Sequence, residues 1–149
     1  MITKEKIQES FIGGIDCAQV IIEYFSKDLN ITTEEARKMG ASFGGGMYQG
    51  SSCGAYIGAL IVLGMKYGHH TLNAPEEKVE FLKKLGKFQL EFQEKYKTNI
   101  CKEMLKVDIT TEEGLNEALQ KNLLTEFCPM VVFNTIQMLE NIIKEEGIK

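Results

Sequence analysis

The sequence predicts an all-α protein, a bundle of about seven or eight helices forming a single domain over residues 1–149. Three observations support this fold class. Apolar residues recur at the 3.6-residue spacing of amphipathic helices, residues that cap helix N-termini precede most of these stretches, and the period-two alternation of β-strands is absent. With 149 residues, the chain is long enough to build one full hydrophobic core.

The first three predicted helices are short. Ile7 and Phe11 mark the first helix, and the Gly13-Gly14 pair ends it. The second helix has an apolar stripe made of Ala18, Ile21, Ile22 and Phe25. Thr33 is predicted to cap the third helix, because two glutamates follow it and complement the positive end of the helix dipole.

The fourth and fifth predicted helices form the middle of the chain. Cys53 opens the fourth helix, which runs to about Tyr67. Small residues lie four apart on this helix and let another helix approach closely; they are Gly54, Gly58, Ala55 and Ala59. Asn73 and Pro75 are predicted to cap and start the long fifth helix, whose apolar stripe is Phe81, Leu85, Phe88 and Phe92.

Three further helices complete the prediction. A short sixth helix carries Cys101, and Thr111 followed by two glutamates opens the seventh. Pro129 is expected at the first position of the last helix, with Cys128 as its N-cap. The buried stripe of this helix is Val132, Ile136, Leu139 and Ile143.

Composition and charge narrow the function classes. The net charge of −4 and the absence of a basic run predict no nucleic-acid binding. The most apolar run, Ala55–Met65, is too short to span a bilayer, so no membrane association is expected. The N-terminal residues contain no apolar segment typical of a signal peptide, which predicts a cytoplasmic protein with reduced cysteines.

The feature that points to function is the position of the four cysteines. Cys17, Cys53, Cys101 and Cys128 all fall where a helix is predicted to begin. The residues beside them that indicate helix starts are Asp16, Ser51, Ser52, Thr98, Asn99 and Pro129. Because a helix N-terminus offers unpaired N–H groups and partial positive charge, it favours the thiolate, the reactive and metal-binding form of cysteine.

The spacing of the cysteines excludes several known sites. No C-x-x-C pair is present, which argues against zinc ribbons, thioredoxin-like motifs, bacterial ferredoxins and covalent c-type haem. A joint site must therefore be assembled by the fold from separate helices, and we expect the four cysteines to converge. The alternative that they are buried small hydrophobes stays open on placement alone.

Several motifs together resemble one protein family. They are Cys17-Ala18-Gln19, Phe43-Gly44-Gly45-Gly46-Met47, Gly50-Ser51-Ser52-Cys53-Gly54-Ala55-Tyr56-Ile57-Gly58, Gly64-Met65-Lys66-Tyr67-Gly68, Cys101 before Leu105, and Cys128-Pro129. The chain resembles the C_GCAxxG_C_C family of bacterial and archaeal proteins over about Gly13 to Ile143. Around Cys53 the order is Cys-Gly-Ala-x-x-Gly rather than Gly-Cys-Ala-x-x-Gly. The resemblance implies redox activity through the cysteines and gives no substrate.

The glycine-rich loop before Cys53 is a second candidate site. Backbone N–H groups at Gly44, Gly45, Gly46 and Gly50 are candidates to bind an anion or a cofactor phosphate. The loop lacks the P-loop pattern, and the alternative is a turn that lets the chain pass close to Cys53. The remaining candidates are His69 and His70 as runner-up metal ligands, and Tyr24, Tyr48 and Tyr56 as residues lining a pocket.

Three functions follow from these residues. The first is thiol–disulfide exchange or electron transfer by the cysteine thiols, which makes the protein a possible oxidoreductase. The second is an iron–sulfur cluster or another metal bound by all four thiolates, and the third is a non-enzymatic helical scaffold that binds a partner. Cys53 is the expected reactive thiolate, because the glycine-rich loop leaves it accessible. The redox partner protein and the oligomeric state, monomer or homo-oligomer, stay open.

Overall fold

The computed structural model describes the backbone of residues 1–148 and the side chains of residues 1–145. This part of the chain contains eight α-helices and no β-strand, which confirms the all-α prediction. The helices are α1 (Lys4–Ile12), α2 (Cys17–Tyr24), α3 (Thr33–Gly40), α4 (Gly54–Tyr67), α5 (Pro75–Tyr96), α6 (Cys101–Leu105), α7 (Glu112–Gln120) and α8 (Cys128–Ile148).

Two predicted N-caps were wrong by one position. Thr32 caps α3: its hydroxyl accepts from the Glu35 N–H at 3.0 Å, and the Glu35 carboxylate accepts from the Thr32 N–H at 2.9 Å. This reciprocal pair fixes the first turn and leaves Thr33 as the first helical residue. At α5 the N-cap is Ala74 rather than Asn73, since Pro75 takes the first helical position with its fixed φ.

The start of α8 also differs from the prediction. Leu123–Phe127 form a wide π-type turn that runs directly into α8. Cys128 is therefore helical, with φ −60° and ψ −43°, and its N–H donates to the Leu123 carbonyl. Because this amide is already bonded, Cys128 is not the N-cap of a free helix end, whereas Cys17, Cys53 and Cys101 do lie at helix starts.

The close approach of α2 and α4 confirms the interpretation of the small residues on α4. A Cβ added to Gly58 would lie 3.0 Å from the Ala18 Cα, and one added to Gly54 would lie 3.1 Å from the Cys17 Cβ. Ala59 is fully buried on the same helix. The absence of larger side chains therefore brings the start of α2 against the start of α4.

The buried apolar residues form two groups, and each group includes one of the buried cysteines. The larger group unites α1, α2, α4, α5 and α8, and it includes Cys53. The smaller group includes Cys101, and it joins α6 to α7 through Leu105, Val107 and Ala118. The cysteines therefore lie where two apolar groups meet.

Among the described residues, the structure contains no helix whose length and apolar character would let it cross a bilayer. The longest helix, α5, is amphipathic: Phe88 and Phe92 are buried, whereas Leu90 is 61% exposed. This pattern is typical of a helix that covers a core on one side.

The packing of α3 on α2 yields a stability prediction. A Cβ on Gly40 would lie 2.8 Å from the Gln19 backbone nitrogen and 2.9 Å from the Ala18 carbonyl carbon, both in a rigid helix. We expect Gly40→Ala to lower the free energy of unfolding by about 1–3 kcal/mol, as overpacking does. Urea denaturation followed by circular dichroism measures this change.

Gly86→Ala is the matched control for Gly40→Ala. Gly86 lies exposed within α5, and an added Cβ there meets no atom within 4 Å. We expect this variant to gain about 0.5–1 kcal/mol from helix propensity. Equal effects of the two substitutions would show that the contact between α2 and α3 is not tight.

Candidate functional site

The four cysteines, far apart in the sequence, line one cavity of about 650 Å³. Cys17, Cys53 and Cys101 reach it from the starts of α2, α4 and α6, and Cys128 reaches it from the first residue of α8. This is the convergence that the positions of the cysteines predict. All four are free thiols in this structure, with Cys17 and Cys128 half-buried and the other two buried.

An isolated antiparallel bridge between Ser52 and Ile100 joins the starts of α4 and α6. The Cys53 N–H donates to the Asn99 carbonyl at 2.6 Å, and the Cys101 N–H donates to the Ser51 carbonyl at 2.6 Å. Residues that flank such a bridge point to the face opposite the bridged pair. Cys53 and Cys101 therefore share one face, and two amides at helix starts obtain partners.

Cys17 and Cys128 form a direct pair. The interaction with the Cys128 side chain is the largest cause that raises the pKa of Cys17 well above the usual range of a thiol. Burial raises this pKa further, as do the negative charges that Cys128 and Asp16 carry when ionised. Cys17 is thus the member of the pair that keeps its proton.

Cys53 differs from the expectation that it is an accessible thiolate. The residue is only 9% exposed, and burial, with the nearby Cys17, raises its pKa to about 12. The backbone N–H groups of Ala55 and Tyr56 act in the opposite direction and lower this pKa, as expected at a helix start. The loss of hydration outweighs these bonds, so the reduced Cys53 is a neutral thiol.

The pKa of Cys101 is also set mainly by burial. Burial is again the largest cause that raises its pKa to about 12, and the charges of Cys53, Cys17 and Asp108 add to it. The helix starts therefore do not produce thiolates at Cys17, Cys53 and Cys101, because the causes that raise each pKa outweigh any lowering by backbone N–H groups. The mutual effects among these thiols show that they are electrostatic neighbours.

The glycine-rich loop is a left-handed turn. Gly45, Gly46, Met47 and Tyr48 have consecutive φ values of 55°, 65°, 60° and 56°. A left-handed helical conformation costs a non-glycine residue about 1–2 kcal/mol, so Met47 and Tyr48 hold conformational strain. A Cβ on Gly46 would lie 2.7 Å from the Cys101 Cβ, so the loop passes close to Cys101.

The four glycines proposed to bind an anion do not share one surface. Gly45 and Gly46 line the cavity, whereas Gly44 lies against the Asp16 carboxylate and Gly50 lies beside the Lys102 side chain. Anion binding by this loop stays a prediction.

Asp16 and Tyr48 connect the loop to α2. The Tyr48 hydroxyl donates to Asp16 Oδ2 at 2.6 Å, which raises the pKa of Tyr48 to about 12. Both residues line the cavity, and Asp16 directly precedes Cys17. Sequence reasoning identified Asp16 only as a helix cap; its position next to a candidate cysteine was the one sign of a further role.

The other residues proposed from the sequence lie outside the cavity. His70 is exposed and pairs with Glu77 at 2.8 Å. The three others lie against different neighbours: His69 against Phe81, Tyr24 against Glu140, and Tyr56 against Phe88 and Phe92. Of the three tyrosines, only Tyr48 lines this cavity.

Most of the cavity wall was not found from the sequence. Its apolar residues come from α1, α6, α7 and the turn before α8, and each also fits an ordinary buried stripe. Examples are Phe11, Met104, Ile109, Leu115 and Leu124. No periodicity distinguishes a residue that faces a cavity from one that faces a filled core.

Comparison with known proteins places this chain in a family. A family model described as "Putative redox-active protein (C_GCAxxG_C_C)" matches residues 15–142, a span that includes all four cysteines and the left-handed turn. The chain belongs to this family. No curated protein and no solved structure matches it.

A metal site would require a particular arrangement of the thiols of this C_GCAxxG_C_C protein. Among the residues that the structure describes, no group of three or more His, Cys, Asp or Glu side chains is arranged to hold a metal ion. A closed structural metal site needs about four such ligands around one point. The four-thiolate metal or iron–sulfur site considered from the sequence stays a prediction.

The raised thiol pKa values predict how stability depends on pH. Unfolded cysteine ionises near pH 8.5, whereas folded Cys53 and Cys101 ionise at about 12. The unfolded chain thus releases protons that the folded chain retains, and stability falls as pH rises above about 8.5. Each such thiol contributes a slope of up to about 1.4 kcal/mol per pH unit.

Urea denaturation of this C_GCAxxG_C_C protein between pH 8 and pH 11 under reducing conditions measures that slope. We expect Cys53→Ala to lose the contribution of one thiol and to have a shallower slope. Val62→Ala, at a fully buried position on the same helix, is the control that lowers stability without changing the slope. Identical slopes in wild type and Cys53→Ala would contradict the raised pKa of Cys53.

Proposed function

We propose that this protein performs thiol–disulfide exchange, with Cys17 and Cys128 as the reacting pair. The observation that carries the proposal is the interaction between the Cys17 and Cys128 side chains on the wall of the cavity. Two thiols form a disulfide when their Cα atoms lie within about 7 Å and their side chains point towards each other. Membership of a family described as redox-active supports the class of chemistry.

The raised pKa of Cys17 supports different roles for the two cysteines. It keeps Cys17 protonated at neutral pH. We therefore assign the attack on a substrate disulfide to Cys128, the other half-buried thiol on the cavity wall. We infer that Cys128 is the attacking thiolate and that Cys17 resolves the intermediate.

The exchange balances in two steps. The Cys128 thiolate attacks one sulfur of a substrate disulfide, forming a mixed disulfide and expelling the first substrate thiolate. Cys17 then passes its proton to that departing thiolate and attacks Cys128 Sγ, which expels the second substrate thiolate. The cysteine pair loses two electrons, the substrate disulfide gains them, and the reverse sequence reduces the protein.

Cys53 and Cys101 have a different role in this proposal. Their burial and raised pKa values keep them as neutral thiols at physiological pH. Neutral thiols are poor nucleophiles, so they do not compete with Cys128 for the substrate. They line the same cavity as the reacting pair.

Peptide mapping without reduction tests the assignment. When the reduced protein receives one equivalent of a disulfide oxidant without oxygen, we expect a Cys17–Cys128 disulfide to form first. Two free thiols are then lost per chain, as measured by mass spectrometry after alkylation. Cys128→Ser is expected to lose this product, whereas the control Cys53→Ser retains it.

Three results would contradict the proposal. A first disulfide between Cys53 and Cys101 would assign the reaction to the other pair, and oxidation that leaves all four thiols free would remove the exchange function. A visible absorption band from anaerobically purified protein, with iron and sulfide lost in each cysteine variant, would replace the proposal with an iron–sulfur site.

A further inference from the structure

We propose that the disulfide which this site reduces is a small, uncharged, apolar molecule that binds within the cysteine-lined cavity. The inference rests on the thiol–disulfide function proposed above and adds the substrate class. It is carried by the size of the cavity, the chemistry of its walls and the charge of the side chains that line it.

The size of the cavity fits a small molecule. Its volume of about 650 Å³ lies within the range of about 300–1,000 Å³ that is usual for small-molecule sites. All four cysteines lie on its walls, so a molecule bound there is next to the reacting pair. A small molecule can therefore reach Cys17 and Cys128 by entering this cavity.

The walls of the cavity are mainly apolar. Six large apolar side chains from four parts of the chain line it: Phe11, Met104, Leu105, Ile109, Leu124 and Phe127. Such walls bind an apolar molecule through the loss of hydrated apolar surface and offer a charged molecule no replacement for its hydration. They favour a substrate with apolar groups on both sides of the disulfide.

The charge of the lining selects against anions. Asp16 is the one side chain with a formal charge among the lining residues, which include no lysine, arginine or histidine. The Asp16 carboxylate already accepts a hydrogen bond from Tyr48 and has no lysine or arginine beside it in the lining. An anionic disulfide such as oxidised glutathione therefore meets repulsion and desolvation with no compensating cation.

Exposed apolar side chains extend these walls to the protein surface. Ile12 on α1 is 80% exposed, and Leu115 and Leu119 on α7 are 37% and 51% exposed, yet all three line the cavity. An apolar molecule can thus contact apolar surface before it reaches the thiols. Apolar surface therefore extends from the interior of the site to solvent.

Two aromatic disulfide probes of different charge test the inference. Dithiodipyridine is uncharged at neutral pH, and dithiobis(nitrobenzoate) is a dianion. Each rate with the folded, reduced protein is divided by the rate of the same probe with the urea-unfolded protein, which removes the difference in intrinsic reactivity. We expect the normalised rate of the uncharged probe to be at least about tenfold higher, and peptide mapping to find Cys17–Cys128 as the product.

A charge placed on the cavity wall supplies a matched pair of variants. Leu119→Lys adds a cation at an exposed position that lines the cavity, whereas Leu90→Lys adds one at an exposed position on α5 outside the lining. We expect Leu119→Lys to raise the normalised rate of the dianionic probe by about threefold or more at low salt, and Leu90→Lys to change it little.

The outcomes separate this inference from the function on which it rests. A Cys17–Cys128 product that forms at equal normalised rates with both probes overturns the substrate class and leaves the exchange function intact. Equal responses of the dianionic probe to Leu119→Lys and Leu90→Lys also overturn selection by the cavity. If neither probe yields a Cys17–Cys128 disulfide, the proposed function itself is overturned.

Discussion

The close contact of α2 and α4 is the constraint on which the site depends. Gly54 and Gly58 remove the side chains that would keep the two helices apart, so the start of α2 lies directly against the start of α4. This contact brings Cys17 next to Cys53. The Ser52–Ile100 bridge then adds Cys101, and Cys128 interacts with the Cys17 side chain. The positions of Cys101 and Cys128 at the site therefore depend on the contact between α2 and α4.

Burial, rather than the helix dipole, decides the protonation state of these thiols. A helix N-terminus stabilises an anion by about 0.3–1 kcal/mol, which is less than one pKa unit. Full burial shifts a pKa by as much as about 3–5 units in the opposite direction. Cys53 shows both effects at once: two backbone N–H groups lower its pKa, yet burial raises it to about 12. This is the reason why the proposed function assigns reactivity to the half-buried pair.

The sequence predicted the all-α class and the helices well, because apolar periodicity and caps are local properties. It also predicted that the cysteines converge. It did not predict that Cys128 lies inside a continuous helical run, since a proline typical of a helix start is equally compatible with the first turn that follows a π-type turn. Neither the bridge at Ser52 nor the bond between Tyr48 and Asp16 was foreseen, because both join residues that are distant in the chain. The burial of Cys53 depends on neighbours from other helices, which no local pattern contains.

The wide distribution of the four cysteines along the chain has a consequence for how the protein matures. Cys17 emerges from the ribosome long before Cys128, and the cavity exists only after α8 has docked. Until then the four thiols are ordinary, hydrated and equally able to pair, and four cysteines allow three complete pairings. A chain that is oxidised before it folds can therefore be trapped in a wrong pairing. Selective formation of the proposed Cys17–Cys128 disulfide would in turn report that the chain has reached its native structure.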